Sequence, residues 1–252
     1  MGGASRNERR RRQEAAADRK PAIDRVPGSG GKDNRVKVGI IVAVVIVVFF
    51  AAVYIVLNRP WGSSPQAAAT YPVSVDGVVV TAGQPAAPVT IDVYEDFLCP
   101  NCEIFEKAYG NEIVSALNEG KLTVRYHSIA IIDSRTTPPG YSTRASNAAL
   151  CSVPAGIYPA YHQQLFASQP SEGSAGLTDA QLVQFGTELG AKGDFAGCVT
   201  GAKNAAAVTA ETNKAIADPA LQTNGQFGTP TVVANGAMVD LNNTGWLKAI
   251  IG

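Results

Sequence analysis

Two cysteines, Cys99 and Cys102, stand with Pro100 and Asn101 between them at the junction of two different patterns. Before them runs an apolar, β-prone stretch, Val89-Thr90-Ile91-Asp92-Val93-Tyr94. After them comes a helical pattern that places Ile104, Phe105, Ala108 and Tyr109 on one side. A strand running into a helix that opens with C-x-x-C is a redox arrangement. The reason is geometric. Cys99 is placed at the helix N-cap or first turn, where free backbone N–H groups and the positive end of the helix dipole favour a thiolate. Pro100 suits the first helical position, because its missing N–H has no intrahelical partner to lose. Cys102 follows one turn on, within reach of the first sulfur. A structural disulfide and half of a zinc site are the other readings of the motif. Zinc calls for a second C-x-x-C or a pair of histidines. The remaining cysteines, Cys151 and Cys198, lie far apart, and the only histidines are His127 and His162.

The elements that must position this motif begin far upstream. Formal net charge over the 252 residues is zero, but residues 1–37 hold eleven Lys/Arg against five Asp/Glu, and the remainder is acidic by the same margin. Between the two parts lies Val38 to Leu57, 20 residues without a charge, about the length that crosses a bilayer as a helix. A cleaved signal peptide is the rival reading, but its apolar region usually runs about 7–15 residues. The Ala67-Ala68-Ala69 stretch also lies far past the apolar run. The sequence therefore predicts a basic, disordered cytoplasmic tail (1–37), a transmembrane helix (38–57), a Pro/Gly/Ala linker (58–70) and one extracytoplasmic domain (71–252), with localisation to the plasma membrane as a single-pass protein. The Arg9 to Arg12 run reads as a topology signal with attraction to anionic lipid, not as a nucleic-acid site. All four cysteines fall on the outer side, where disulfides persist.

Within the domain, Val73-Ser74-Val75 and Val78-Val79-Val80 flank Asp76-Gly77, a hairpin signal. The motif helix ends at Asn118-Glu119-Gly120 with a glycine stop. Leu122 to His127 alternates like a strand, and Ile129 to Ile132 is a second apolar run. Strand, helix and strand make a βαβ unit with parallel pairing. From about 138 to 221 the pattern is helical, with helices over Tyr141 to Ser152, Tyr158 to Ser168, Thr178 to Leu189 and Asp194 to Ile216. Thr178 with Gln181 forms a capping box, and Asp194 is an N-cap. The chain then returns to β with Phe227 to Val233. A hairpin at Asn235-Gly236 leads into Ala237 to Leu241, and a last helix covers Trp246 to Ile251.

This order resembles the thioredoxin fold with an inserted helical domain, as in the DsbA family of extracytoplasmic disulfide oxidoreductases. The resemblance rests on Glu95-Asp96-Phe97-Leu98-Cys99-Pro100-Asn101-Cys102 and Gly228-Thr229-Pro230-Thr231, and covers roughly residues 85–252. The anchor and the extra cysteine pair resemble the actinobacterial members. The resemblance implies an α/β thioredoxin fold preceded by one transmembrane helix. It implies Cys99 as the sulfur that forms the mixed disulfide, Cys102 as its buried partner, and Pro100, Asn101, Thr229 and Pro230 as active-site support. The Thr229–Pro230 bond is implied to be cis and to face the active disulfide; taken alone, Pro230 reads as an ordinary proline at a strand start. Two positions depart from the pattern. Asn101 stands where the best-known oxidases have His. Val93 stands where many thioredoxin-fold enzymes carry a buried acid; Asp92 and Glu95 are nearby, but strand alternation need not point either at Cys102, so proton handling is unassigned.

Four cysteines allow three pairings. The resemblance implies Cys99–Cys102 and Cys151–Cys198, the latter tying the first insertion helix to the last; separate core thiols are the alternative. Closing the long loop stabilises by roughly 4 kcal/mol and closing C-x-x-C by about 2 kcal/mol on the unfolded-chain account, which makes the long bridge the staple and the short one the reducible bond. The implied activity is a disulfide oxidase, with no metal or cofactor. It acts as a monomer on unfolded or reduced exported proteins, and is re-oxidised by a membrane quinone-linked partner resembling vitamin K epoxide reductase. A reductase or isomerase on the same fold, and a tethered binding module with a structural C-x-x-C, are the competing readings.

Overall fold

The computed structural model describes residues 68–252. The basic tail, the apolar run 38–57 and the linker up to residue 67 lie outside the described residues. Among the described residues no helix is long and apolar enough to cross a membrane.

The first strands, β1 (Val73–Asp76) and β2 (Val79–Gly83), pair antiparallel with Asp76 opposite Val79, so Gly77 and Val78 make the turn. Gly77 sits at φ +57, where a side chain would be strained. Next come β3 (Val89–Glu95), α1 (Pro100–Asn118) and β4 (Leu122–Ser128). Helix α1 ends with Gly120 at φ +69, its N–H donating to the Leu117 carbonyl while the Lys121 N–H donates to Ala116. That is a Schellman stop, built on the expected glycine. The Ile129 to Ile132 run is no strand. It leaves the sheet for a 3-10 turn at Asp133–Arg135.

The helical segment contains α2 (Tyr141–Ser152), α3 (Tyr158–Ala167), α4 (Asp179–Glu188), α5 (Phe195–Thr200) and α6 (Ala205–Ala217). The capping box at Thr178 and Gln181 forms, as does the Asp194 cap on Gly197 N–H. Gly186 lets α4 sit on the Phe195 ring, which an added Cβ would approach to 2.1 Å. The single helix expected over 194–216 is instead two. The buried side chain of Asn147 explains the break. Its Nδ2 donates to the carbonyls of Cys198 and Val199 at the end of α5, and its Oδ1 accepts from the Asn204 N–H at the start of α6. Ala202 between them takes φ +49. The Cys151–Cys198 disulfide is formed, and ties α2 to α5, not to the final helix of the segment.

A 3-10 turn, Pro219–Leu221, precedes β5 (Gln222–Thr223) and β6 (Gln226–Phe227), which pair only with each other. The strand expected over Phe227 to Val233 is therefore interrupted. Residues 228–230 leave β geometry, and β7 (Thr231–Ala234) begins after Pro230. Asn235 and Gly236, at φ +53 and +78, turn it into β8 (Ala237–Met238), and α7 (Trp246–Ile251) closes the chain.

The sheet runs β1-β2-β4-β3-β7-β8, with β3 and β4 parallel and every other neighbouring pair antiparallel. Alternation sorts its two faces. Ile91, Val93, Leu122, Val124 and Tyr126 point into the main core with Phe105, Leu117, Trp246 and Leu247. Asp92, Tyr94, Arg125 and His127 point to the other face, beside a smaller cluster of Ile129, Ala215 and Leu221. On α1 the buried stripe is Cys102, Phe105, Ile113, Ala116 and Leu117; Ile104, 61% exposed, and Ala108 lie outside it. The 3.6-residue period admits only one of two adjacent positions to the centre of a face. This is an α/β thioredoxin-type fold with a helical insertion between β4 and the closing hairpin.

Asn147→Ala removes the bridge between α5 and α6 and leaves buried carbonyl and N–H groups without partners. We expect a loss of about 1–3 kcal/mol in urea unfolding. The circular dichroism of the folded state should be little changed, because both helices retain their own hydrogen bonds.

Candidate active site

The end of β3 delivers the chain into the first turn of α1. Cys99 is the N-cap, with extended φ and ψ of −71 and 118, and Pro100 is the first helical residue. No side chain caps this terminus. The helix N-terminus thus faces the Cys99 sulfur itself. Pro100 and Asn101 are exposed, Cys99 is 8% exposed and Cys102 is 1% exposed. Both sulfurs are free thiols here.

Their environments pull them apart. The Cys102 thiol donates to Cys99 and is the largest influence on it. Burial opposes, but the Thr229 side chain and the N–H groups of Cys102 and Asn101 add to the first effect, and the Cys99 pKa falls from 9.0 to about 6. One contact works the other way. The Thr229 carbonyl, 3.2 Å from the Cys99 sulfur, can only accept, so it favours the protonated thiol. Cys102 is pushed well above the ordinary thiol value, chiefly by burial, then by the hydrogen bond it donates to Cys99 and by the Cys99 charge beside it. One sulfur is a ready nucleophile at neutral pH and the other is a thiol.

Thr229 and Pro230 come to this site from the far end of the chain, joined by a cis peptide bond. Thr137–Pro138 is also cis, which nothing in the sequence pattern announces. The helical insertion contributes Gln169, whose Nε2 donates to the Cys99 carbonyl at 3.1 Å. Cys151 and Cys198 form a separate bridge in the insertion. His127 and His162 are apart, and no group of His, Cys, Asp or Glu among the described residues is arranged to hold a metal ion.

Neither acid flagged near the motif faces Cys102. Asp92 lies on the other sheet face, bound to Arg125 and to His127 Nε2. Glu95, 2% exposed, pairs with His162 Nε2 at 2.7 Å. Burial pushes the His162 pKa down, but the charge and hydrogen bond of Glu95 outweigh it, with Glu106 assisting, and hold it up at about 9. The pair fastens α3 of the insertion to the strand that carries the motif. Asp96 is the residue that pattern reading overlooked. It is fully buried, and its own N–H donates to the Cys102 sulfur at 3.5 Å. The signal was present as two adjacent carboxylates, Glu95 and Asp96, inside an otherwise apolar stretch. Such groups are almost never fully buried unless paired.

A family sequence model described as Thioredoxin matches residues 76–251. The serine/threonine-protein kinase PknE of Mycobacterium tuberculosis is 34% identical over 216 residues, 79% of this chain and 37% of that protein, so the chain spans little more than a third of that relative. Among solved structures, the reduced form of disulfide bond oxidoreductase DsbG from Mycobacterium tuberculosis superposes with a TM-score of 0.59 at 30% identity, over 70% of this chain and 86% of that one. The reduced DsbA of the same organism gives 0.59 at 28% identity, over 70% and 91%.

Two stability predictions follow from the charges. The Cys99 pKa is depressed on folding, so its contribution is fully present above about 9 and is lost as pH falls through about 6. The disulfide form has no such contribution. The stability of reduced relative to oxidised protein should therefore rise between pH 6 and 9, by up to about 1.4 kcal/mol per pH unit, in paired urea titrations; a flat difference would contradict a depressed Cys99 pKa. Glu95→Ala strands a buried imidazolium and should lower stability by about 3–5 kcal/mol at pH 7. The raised His162 pKa means the wild-type contribution is whole below 6.5 and is lost as pH rises through about 9. The penalty of the variant should shrink over that range.

Proposed function

The chain belongs to the thioredoxin family, and on that premise we propose that it is a thiol–disulfide oxidoreductase of the DsbA-like kind, an oxidase working outside the cytoplasmic membrane on the thiols of exported proteins. The observation that carries this reading is the asymmetry of the two sulfurs. A stabilised Cys99 thiolate at a helix N-terminus faces a buried Cys102 that resists ionisation. Whatever stabilises the thiolate stabilises the reduced enzyme and so raises its oxidising power.

In the reaction a substrate thiolate attacks Cys99 of the oxidised pair, and the Cys99–Cys102 bond breaks with the electron pair going to Cys102. A second substrate thiolate attacks the substrate sulfur of the mixed disulfide and releases Cys99 as thiolate. Cys102 takes up one of the two protons lost by the substrate thiols and the other is released, so the substrate gains one disulfide and the enzyme becomes a thiolate and a thiol. The exposed Pro100 and Asn101 leave the approach to Cys99 open, and the Thr229 carbonyl beside it is placed to accept an N–H from an extended substrate. Re-oxidation is assigned to a quinone-linked membrane protein resembling vitamin K epoxide reductase. The uncharged 38–57 run and the charge difference across it support an anchor and an outer location. Asn101 supplies no positive charge to the thiolate, which favours a milder oxidant than one with His at that position.

The test is the equilibrium of the Cys99–Cys102 pair with glutathione. We expect a potential more oxidising than glutathione, with Cys151–Cys198 unreacted. Cys102→Ser should accumulate mixed disulfides on Cys99, and Cys99→Ser should abolish turnover. A potential near that of thioredoxin would redirect the assignment to a reductase. A bond that glutathione does not open would leave only a binding module.

A further inference from the structure

Asp96 has every polar group of its residue engaged, three within the active-site loop and one outside it. Its N–H donates to the Cys102 sulfur at 3.5 Å, and its carbonyl accepts from the Cys99 N–H at 3.0 Å. Oδ1 accepts from the Leu98 N–H at 2.9 Å. Oδ2 accepts from the Ile132 N–H at 3.1 Å, in the segment that leads from β4 to the insertion. The side chain is fully buried. The titratable groups that act on its carboxylate are Cys99 at the start of α1 and Tyr141 from α2, while Cys102 meets its backbone N–H. No lysine, arginine or histidine is among them.

We propose that Asp96 is a positioning residue that opposes the active-site thiolate, so that its charge sets how far Cys99 ionises and how oxidising the pair is. This rests on the oxidoreductase reading above. A carboxylate held in place by two backbone N–H groups cannot turn away when Cys99 becomes charged, and in a buried setting the repulsion is weakly screened. The two charges compete. Burial raises the Asp96 pKa to about 6 against the lowering effect of hydrogen bonds from Leu98, Ser142 and Ile132, and the Cys99 charge adds to the rise. When glutathione opens the enzyme disulfide, two GSH are consumed and the products are the Cys99 thiolate, the Cys102 thiol, one GSSG and one proton. Only the product side carries the thiolate, so an ionised Asp96 disfavours the reduced enzyme and moderates its oxidising power. Asp96 thus restrains a site whose helix N-terminus and hydrogen bonds push towards the thiolate.

Asp96→Asn removes the charge and keeps the volume. In the full-length variant we expect the Cys99 pKa, read from thiolate absorbance, to fall by about one unit, a tenfold change. The glutathione equilibrium should shift tenfold towards reduced enzyme, which is about 30 mV more oxidising. A residue that only holds the loop would lower the melting temperature and move neither quantity. A second measurement needs no variant. Coupling is reciprocal, so in the wild-type chain, labelled with 13C-aspartate, infrared spectra should show Asp96 titrating about one unit higher in reduced than in oxidised protein. The proposal stands if both shifts have these signs and agree within threefold. It falls if either is below twofold, or if either runs opposite to the direction given for it. Should Asp96→Asn fail to fold, the wild-type titration decides alone. If glutathione cannot open the wild-type bond, the oxidoreductase reading itself has failed, and reduction by phosphine still allows the coupling to be read.

Discussion

A sulfur must be charged at neutral pH while almost out of water, and the rest of the domain answers that requirement. Cys99 is 8% exposed. A charge in such a place is stabilised mainly by fixed donors, since little solvent reaches it. The donors come from its own neighbourhood: the Cys102 thiol and the N–H groups of the opening turn of α1. The helix begins there because β3 ends there, and β3 is held at the centre of the sheet by parallel β4 on one side and antiparallel β7 on the other.

Around that centre the parts oppose one another. The helix terminus and the Cys102 thiol favour the thiolate, while the Thr229 carbonyl and the buried Asp96 disfavour it. A site in which every contact pulled one way would be locked in its reduced form, because a disulfide gains nothing from donors aimed at a negative charge. The balance makes the pair reversible. Cys151–Cys198 has no such environment; it spans 47 residues and serves the helical segment as a crosslink.

The helical insertion is a working wall of the site. Gln169 holds the Cys99 carbonyl, and His162 is paired to Glu95 at the end of the strand that leads to the motif. The ion pair is buried on both sides, so it contributes little net stability by itself but tolerates no loss of one partner. It therefore fixes where the insertion docks more than how firmly. Asn147 does the same within the insertion, by stopping one helix and starting the next.

What the sequence determined by itself were the features whose cause lies within a few residues. The C-x-x-C at a strand-to-helix junction, the Gly120 stop, the Thr178 capping box and the Asn235-Gly236 turn all came from local backbone chemistry, and the structure places each where the pattern put it. The failures have the opposite character. The helix over 194–216 breaks because of an asparagine more than 50 positions earlier. The strand over 227–233 breaks because residues 228–230 are drawn towards a sulfur 130 positions away. Val93 left the acid of the site unassigned, and only the folded loop revealed Asp96, whose second oxygen is held from 36 residues downstream. Propensity and period report on neighbours along the chain. Burial and charge pairing depend on which distant segments meet, and that is decided only when the core closes.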